Sequence, residues 1–316
     1  MRCVLTLLTL LTLLTPLLAC EPPTGADPDA PSPLPDRYTL SDEVGFPEGM
    51  AFHAGTRAFF MGSLEHGGIT RVNPDGAESR VYTPADDGWS SLGMKFHPNG
   101  DDLLVCAVRW ASTPDATSAL WVIDAITHTQ RAIPLMDPPS NCNDLVAVDD
   151  HVYLTDRESA RIHRVDLATD EAEVWLTHDA LAPGLIGNNG LVVTDDGVLI
   201  QGQYAPARLI RIPIDNPDAA ETIPQHGDPI GSVPDGADGM VWFDGAIAIA
   251  ANRRIAAARS DDSWSSAQIT AAEAPDAVAA LTVAEGRLYG LKGEVVPYVL
   301  GTEADLPFAI VALELP

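Results

Sequence analysis

Apolar and polar residues alternate in short runs along most of this chain, and turn residues separate the runs. A period of two is the pattern of a β-strand with one buried face. Four runs share an opening in which an oxygen-bearing side chain comes directly before the apolar alternation: Glu48-Gly49-Met50, Asn143-Asp144-Leu145, Asn189-Gly190-Leu191 and Asp238-Gly239-Met240. We therefore expect four equivalent strands that each begin beside an oxygen donor.

The same opening recurs without the oxygen at Gly93 and Ala280, so the chain contains six related units. Counted from the residue after the oxygen carrier, the units start at positions 49, 93, 144, 190, 239 and 280, which are 41 to 51 residues apart. This period is typical of propeller blades. Because turn pairs recur about every 8 to 12 residues and no long stretch has a helical period, we expect four antiparallel strands per unit.

The six units predict an all-β, six-bladed β-propeller over residues 37–316. Closing the ring would remove exposed sheet edges, and we expect residues 37–43 to complete the last blade. In the fifth unit the alternation predicts a second strand over residues 246–252, a third near residues 254–262 and a fourth over residues 268–272.

The first twenty residues have the features of a secretory signal: one early positive charge, a Leu/Thr-rich run and the ending Leu17-Leu18-Ala19-Cys20. That ending resembles the bacterial lipoprotein lipobox, which would make Cys20 the lipidated first residue of the mature chain. An ordinary cleaved signal and an uncleaved anchor are the alternatives. Residues 21–36 are rich in proline and acid and predict an extended tether. We expect an exported protein, anchored by lipid to the periplasmic or cell-surface side of a bacterial membrane.

The charge balance is strongly acidic, with 45 acidic against 18 basic residues and a net charge of −27. A nucleic-acid-binding surface requires the opposite sign, so we exclude that class of partner. An acidic surface also raises the local concentration of cations, which is compatible with a metal site. We expect a monomer that acts on a small molecule.

Two cysteines remain once Cys3 and Cys20 are assigned to the signal. Export permits a disulfide between Cys106 and Cys142, which fall in neighbouring units. Two buried free thiols fit the sequence equally well.

The position before each inner strand suggests a metal site. It is occupied by four oxygen carriers and two apolar residues: Glu48, Leu92, Asn143, Asn189, Asp238 and Ala279. Two carboxylates and two amides from four blades form the oxygen set that Ca²⁺ prefers. The alternative is that Asn189 and Asp238 only shape turns, because Asn-Gly and Asp-Gly are common turn pairs. Glu48 favours the metal site, since Glu-Gly is not such a pair.

Several stretches are similar to the gluconolactonase family, which includes regucalcin: residues 46–53 (FPEGMAFH), 69–76 (ITRVNPDG), 143–156 (NDLVAVDDHVYLTD) and 238–250 (DGMVWFDGAIAIA). The resemblance covers roughly residues 40–292. It implies a six-bladed propeller, a divalent cation in the channel, usually Ca²⁺, and lactone hydrolysis.

By motif position, the resemblance implies that Glu48, Asn189 and Asp238 bind the metal. Asn143 would lie beside the metal, either on the substrate or as a further ligand. Asp235 is a rival to Asp238, but Asp238 keeps Met240 in register with the other inner strands. The stretch before Asn143 lacks the arginine that we expect in sugar lactonases, which argues against a sugar-acid substrate.

The predicted function is a Ca²⁺-dependent hydrolase of lactones or related esters. The cation would polarise the lactone carbonyl, and a carboxylate would take a proton from the attacking water. Asp238 is the first candidate for this base and Asp144 the second. The chain has no G-x-S-x-G motif for a serine nucleophile. A non-catalytic binding propeller is the main alternative, and a metal-independent synthase-like propeller is disfavoured by Glu48 and Asp238.

Overall fold

The alternating runs form strands that assemble into six four-stranded sheets. The computed structural model describes residues 31–109, 117–136, 138–184, 186–231 and 236–316. The predicted signal, the lipidation residue Cys20 and the rival ligand Asp235 lie outside these residues. The sheets are the blades of a six-bladed β-propeller, which confirms the predicted fold class.

The first three blades each use four strands that are consecutive in the chain. Blade one contains β2 (Met50–His53), β3 (Ala58–Met61), β4 (Ile69–Val72) and β5 (Glu78–Tyr82). Blade two contains β6 (Trp89–Phe96), β7 (Asp102–Arg109), β8 (Thr117–Asp124) and β9 (Gln130–Pro134). Blade three contains β10 (Cys142–Val148), β11 (His151–Asp156), β12 (Arg161–Asp166) and β13 (Glu171–Thr177).

The last three blades follow in order around the ring. Blade four contains β14 (Ile186–Val193), β15 (Val198–Ala205), β16 (Arg208–Pro213) and β17 (Glu221–Thr222). Blade five contains β19 (Met240–Phe243), β20 (Ala246–Arg259), β21 (Ala267–Val278) and β18 (Gln225–Gly227). Blade six contains β22 (Ala280–Ala284), β23 (Arg287–Lys292), β24 (Ala309–Leu313) and β1 (Arg37–Thr39).

The ring closes through β1, which pairs antiparallel with β24, so that Tyr38 lies opposite Ile310. The expected closure by residues 37–43 is thus confirmed for Arg37–Thr39, and Asp42–Val44 forms a short 3₁₀ turn instead. Leu34, just before β1, is buried and belongs to the hydrophobic core of this unit.

Blade five departs from the predicted strand order. The segments predicted as its second and third strands are one continuous strand, β20, and residues 268–272 belong to the third strand. The outermost strand is β18, which precedes the inner strand in the chain and pairs parallel with β21. The pattern break at Asn252 marks a register shift rather than a chain reversal. A bulge interrupts the alternation as a turn does, so the two look alike in sequence.

One short helix interrupts blade six between β23 and β24: α1 (Val295–Leu300). Its sequence contains three valines and a proline, so helix propensity did not indicate it. Pro297 falls in the first turn, where proline is tolerated, and Gly301 ends the helix with a left-handed conformation. Among the described residues, no helix is both long and apolar enough to cross a membrane.

Candidate metal centre at the mouth of the central channel

The four predicted oxygen carriers converge on one pocket. Glu48, Asn143, Asn189 and Asp238 all line it, although they come from blades one, three, four and five. The equivalent positions of blades two and six hold Leu92 and Ala279. The pocket has a volume of about 680 Å³ including its opening to solvent.

Glycines explain why the inner strands approach so closely. A Cβ at Gly49 would lie 1.9 Å from the carbonyl oxygen of Leu92, and one at Gly190 would lie 2.3 Å from the carbonyl oxygen of Asp238. Neither glycine has a positive φ, and Gly190 lies inside β14. Gly190 therefore lies in a strand and not in a turn. These glycines allow one blade's backbone to contact the next.

The oxygen carriers are largely removed from solvent. Glu48, Asn143 and Asn189 are buried, whereas Asp238 is partly exposed to the pocket. The Asn189 amide donates a hydrogen bond to the Asp238 carboxylate. Glu48 Oε2, in contrast, is buried and has no hydrogen-bond partner. A buried carboxylate oxygen without a partner is costly unless the group takes up a proton or binds a ligand.

The two carboxylates raise the electrostatic cost of the site. Burial raises the pKa of Glu48 well above its usual range, and the nearby charges of Asp238 and Asp144 raise it further. Burial also raises the pKa of Asp238 to about 7, against the opposing effect of the Asn189 hydrogen bond. Two buried acids at one mouth repel each other unless a cation or a proton lies between them.

Asp144, the second predicted base, accepts two hydrogen bonds from neighbouring blades. Its Oδ1 accepts a hydrogen bond from Lys95 Nζ at 3.2 Å, and its Oδ2 accepts one from the Leu191 backbone N–H at 3.0 Å. It thus bridges blades two, three and four along the channel wall. Asp144 occupies the ring position that is glycine or alanine in the other blades, and it lines a narrow cavity that the four oxygen carriers also line.

The donor set fits a hard divalent cation. Two carboxylates and two amides, with one carboxylate oxygen unpartnered, match the ligands and charge that Ca²⁺ prefers. Within the described ranges, no three His, Cys, Asp or Glu side chains are grouped closely enough to hold a metal. A site here therefore depends on the amides of Asn143 and Asn189 as well as on the two acids.

The structure adds residues that the sequence did not indicate as part of the site. Arg157 and Tyr204 line the mouth pocket, from the ends of the second strands of blades three and four. The α1 side chains Val295, Val296, Val299 and Leu300 line it as well. Arg157 lowers the pKa of both Glu48 and Asp238, although burial is the larger effect and acts in the opposite direction.

A disulfide joins Cys106 of β7 to Cys142 of β10, with their Cα atoms 5.6 Å apart. This settles the choice that the sequence left open. Cys142 directly precedes Asn143, so the bond fixes the start of the inner strand of blade three against blade two. Because Cys142 is the chain neighbour of the oxygen carrier Asn143, the disulfide also constrains the position of the site.

Three histidines of blades one and two contact residues away from the pocket. His53 contacts Asp101 at 3.1 Å, and His97 contacts the Asp149 carbonyl oxygen at 2.8 Å. His66 contacts the Glu43 carbonyl oxygen at 3.3 Å. None of the three lines the mouth pocket. The bases available there are carboxylates.

The fold and site thus define a six-bladed propeller with an acidic, oxygen-lined channel mouth. Comparison with solved structures finds the Malassezia sympodialis allergen Mala s 1 at 17% identity and a TM-score of 0.71, covering 89% of this chain and 97% of that one. A Xanthomonas campestris gluconolactonase matches at 15% identity and a TM-score of 0.60, covering 88% and 89%. A PQQ-bound aldose sugar dehydrogenase from Streptomyces coelicolor matches at 15% identity and 0.60, covering 88% and 95%.

These identities establish similarity of fold. Gluconolactonase structures are among the neighbours, as the sequence resemblance predicted. No protein-family model matches the chain. No curated protein matches it at a significant level.

Proposed function

We propose that this protein is a divalent-cation-dependent hydrolase of lactones or related esters. Glu48, Asn143, Asn189 and Asp238 would hold the cation, for which Ca²⁺ is the first choice. The observation that carries the proposal is the unpartnered Oε2 of buried Glu48, in the same pocket as a second carboxylate. The gluconolactonases among the structures of similar fold support the reaction class.

The residues of the site would have different roles in the reaction. A bound divalent cation supplies Lewis-acid polarisation of a carbonyl oxygen. Asp238 is the first candidate to accept the proton of the attacking water, since its carboxylate is the more exposed of the two. Glu48 and the two amides would orient the ligand set. Arg157 places a positive charge at the pocket where the negative charge of a hydroxy-acid product would form.

Asp144 is the weaker candidate for the base. Both of its oxygens already accept hydrogen bonds, from Lys95 and from Leu191. We assign it to holding the channel wall, so that Asp144→Asn would disturb the packing of blades two to four rather than remove a base.

The test is hydrolysis of a panel of aliphatic and sugar lactones by the full chain, with Ca²⁺ and after chelation. We expect turnover that chelation abolishes and Ca²⁺ restores. Asp238→Asn should lack it, whereas Asp195→Asn, at an exposed turn, should retain it. Calorimetric titration of the metal-free protein with Ca²⁺ gives a second measurement. No turnover together with no Ca²⁺ binding would leave the pocket to a non-catalytic binding propeller.

We also infer that Cys20 carries lipid and that residues 21–36 tether the propeller outside the cytoplasm. The sequence that ends at Cys20 supports this inference. Mass spectrometry of the mature N-terminal peptide tests it directly. An unmodified Cys20 in a chain that begins elsewhere would contradict it.

A further inference from the structure

The mouth pocket has two chemically different sides. Its floor is formed by the four oxygen carriers, with Arg157 and Tyr204 beside them. One wall is formed by helix α1, through Val295, Val296, Val299 and Leu300. Val299 and Leu300 are 67% and 69% exposed. Apolar side chains of this size left exposed beside a polar floor indicate a surface that a ligand covers.

Helix α1 is held firmly enough to form such a wall. The ring of Tyr298 packs on Phe46, with the ring centroids 4.7 Å apart. Before the helix, Glu294 Oε2 accepts a hydrogen bond from the Asp305 backbone N–H at 3.1 Å. Buried Lys292 donates to the Asp305 backbone oxygen and lies 3.9 Å from Glu294 Oε1. Both flanks of the helix are therefore fixed to blade six.

The wall and the floor meet within the reach of one small ligand. Val295 packs against the core cluster that contains Leu92, so the first turn of α1 is anchored in the body of the propeller. The second turn carries Val299 and Leu300 outward along the pocket. A ligand whose reacting carbonyl lies at Glu48 and Asp238 would therefore place the rest of its atoms along these side chains.

We propose that the substrate is a lactone or ester that carries an unbranched apolar chain, which lies against Val296, Val299 and Leu300. This inference rests on the proposed hydrolase function and names its substrate class. An apolar chain would cover carbon surface that is now exposed to water. A polyhydroxylated substituent in the same place would lose hydrogen bonds to water without gaining replacements from valine and leucine.

The test compares rates along a series of γ-lactones of increasing chain length. The full chain, supplied with Ca²⁺, would be assayed with γ-butyrolactone, γ-hexalactone and γ-decalactone, and with glucono-δ-lactone as the polyhydroxylated comparison. We expect kcat/KM to rise by about threefold for each methylene that reaches the wall. Glucono-δ-lactone should be a poorer substrate than γ-decalactone.

Variants locate the effect on α1. Val299→Asn and Leu300→Asn should lower kcat/KM for γ-decalactone by about tenfold, and by much less for γ-butyrolactone, which has no chain to contact them. Both side chains are largely exposed, so neither change should unfold the chain. Ile126→Asn, at an apolar residue of blade two that is 56% exposed, is the matched control and should change neither rate.

A binding measurement separates this inference from catalysis. The unreactive lactam 5-hexyl-2-pyrrolidinone should bind more tightly than 2-pyrrolidinone by calorimetry, and the two α1 variants should remove the difference. Equal rates along the series with equal lactam affinities would overturn the inference and leave the hydrolase intact. No hydrolysis of any lactone in the presence of Ca²⁺ would instead overturn the proposed function. Variants that weaken binding to anionic phospholipid vesicles without changing chain-length preference would assign the wall to a membrane, which also overturns the inference.

Discussion

The same ring position is filled in two different ways around the channel. In blades two and six it holds the buried apolar residues Leu92 and Ala279. In blade one it holds Glu48, equally buried but with an oxygen that has no partner. The fold is satisfied by leucine at this position, so it does not require a carboxylate. The difference supports the proposal that the acid serves a ligand and not the stability of the ring.

Copying the residue of blade two into blade one has the largest expected effect. Glu48→Leu should lower lactone hydrolysis by about a thousandfold, because the cation site loses one of its two charges. The metal-free protein should become more stable by about 1 to 2 kcal/mol, since a buried carboxyl group with an unpartnered oxygen is replaced by an apolar side chain. Activity assays and urea unfolding without Ca²⁺ measure the two changes, which have opposite signs.

Glu48→Gln separates charge from shape in this comparison. It should also lose Ca²⁺-dependent activity, although the side chain is nearly isosteric. Asp195→Asn at an exposed turn is the control for loss of one negative charge. A Glu48→Leu protein that is both inactive and less stable in the absence of metal would show that the acid is structural after all.

The disulfide joins a blade that has no oxygen carrier to a blade that has one, because Cys106 lies in blade two and Cys142 precedes Asn143 of blade three. It closes a loop with a sequence separation of 36 residues, and removing it should cost about 3 to 4 kcal/mol by loop-closure entropy. We expect Cys106→Ser with Cys142→Ser to lower the free energy of unfolding, measured with urea, by that amount. The double variant should also bind Ca²⁺ more weakly than the wild type. An unchanged midpoint in the double variant, or in wild type under reductant, would show that the bond contributes nothing to stability.

Much of the fold was predictable because the alternation repeats six times. The unit starts were found from glycines and oxygen carriers, and the structure places the same glycines where a Cβ would meet the next blade. Blade three matched strand by strand because its turns carry clear signals. Blade five did not, because the bulge near Asn252 and the early position of β18 leave no distinct trace in sequence.

The candidate site was predictable only in part. The oxygen carriers occupy the same position in four of the repeats, so aligning the repeats to find the blades also identifies these residues. Arg157 and Tyr204 come from the ends of second strands, where each blade differs and no repeat exists. Helix α1 has no amphipathic period long enough to recognise, yet it forms the apolar wall of the pocket. Residues that reach a site by tertiary folding alone have no local signature.

Glycines at the start of the inner strands allow neighbouring blades to contact each other closely. Adding one methyl group tests whether this close approach is a constraint. Gly49→Ala would place a Cβ 1.9 Å from the Leu92 carbonyl oxygen. The backbone must move to accept it, at a cost of about 1 to 3 kcal/mol. Ala280→Gly, at the equivalent position of blade six, should cost less, about 1 kcal/mol or below. Guanidinium unfolding of both variants gives the comparison, and equal losses would mean that the close approach is not a constraint.

The smallest expected effect concerns Asp156 and its polar partners in blade three. Asp156, at the end of β11 and next to Arg157, lies 2.8 Å from Arg161 and 3.5 Å from His163. Burial alone would raise the pKa of Asp156, but His163, Ser159 and Arg161 outweigh it and hold the pKa below its usual value. A carboxyl whose pKa is lowered by folding contributes stability above its unfolded pKa, and that contribution is lost as the pH falls through the folded pKa. The wild type should therefore lose stability below about pH 4.

Asp156→Asn should remove that part of the acid dependence and lower stability at pH 7 by about 1 to 2 kcal/mol, because Arg161 loses its partner. Urea unfolding at pH 7 and at pH 3.5 measures both. The difference between wild type and variant should shrink at the lower pH, where the wild-type carboxyl begins to take up its proton. A gap that stays constant with pH would mean that Asp156 acts through its shape and hydrogen bonds alone, and the polar support of blade three would then not depend on charge.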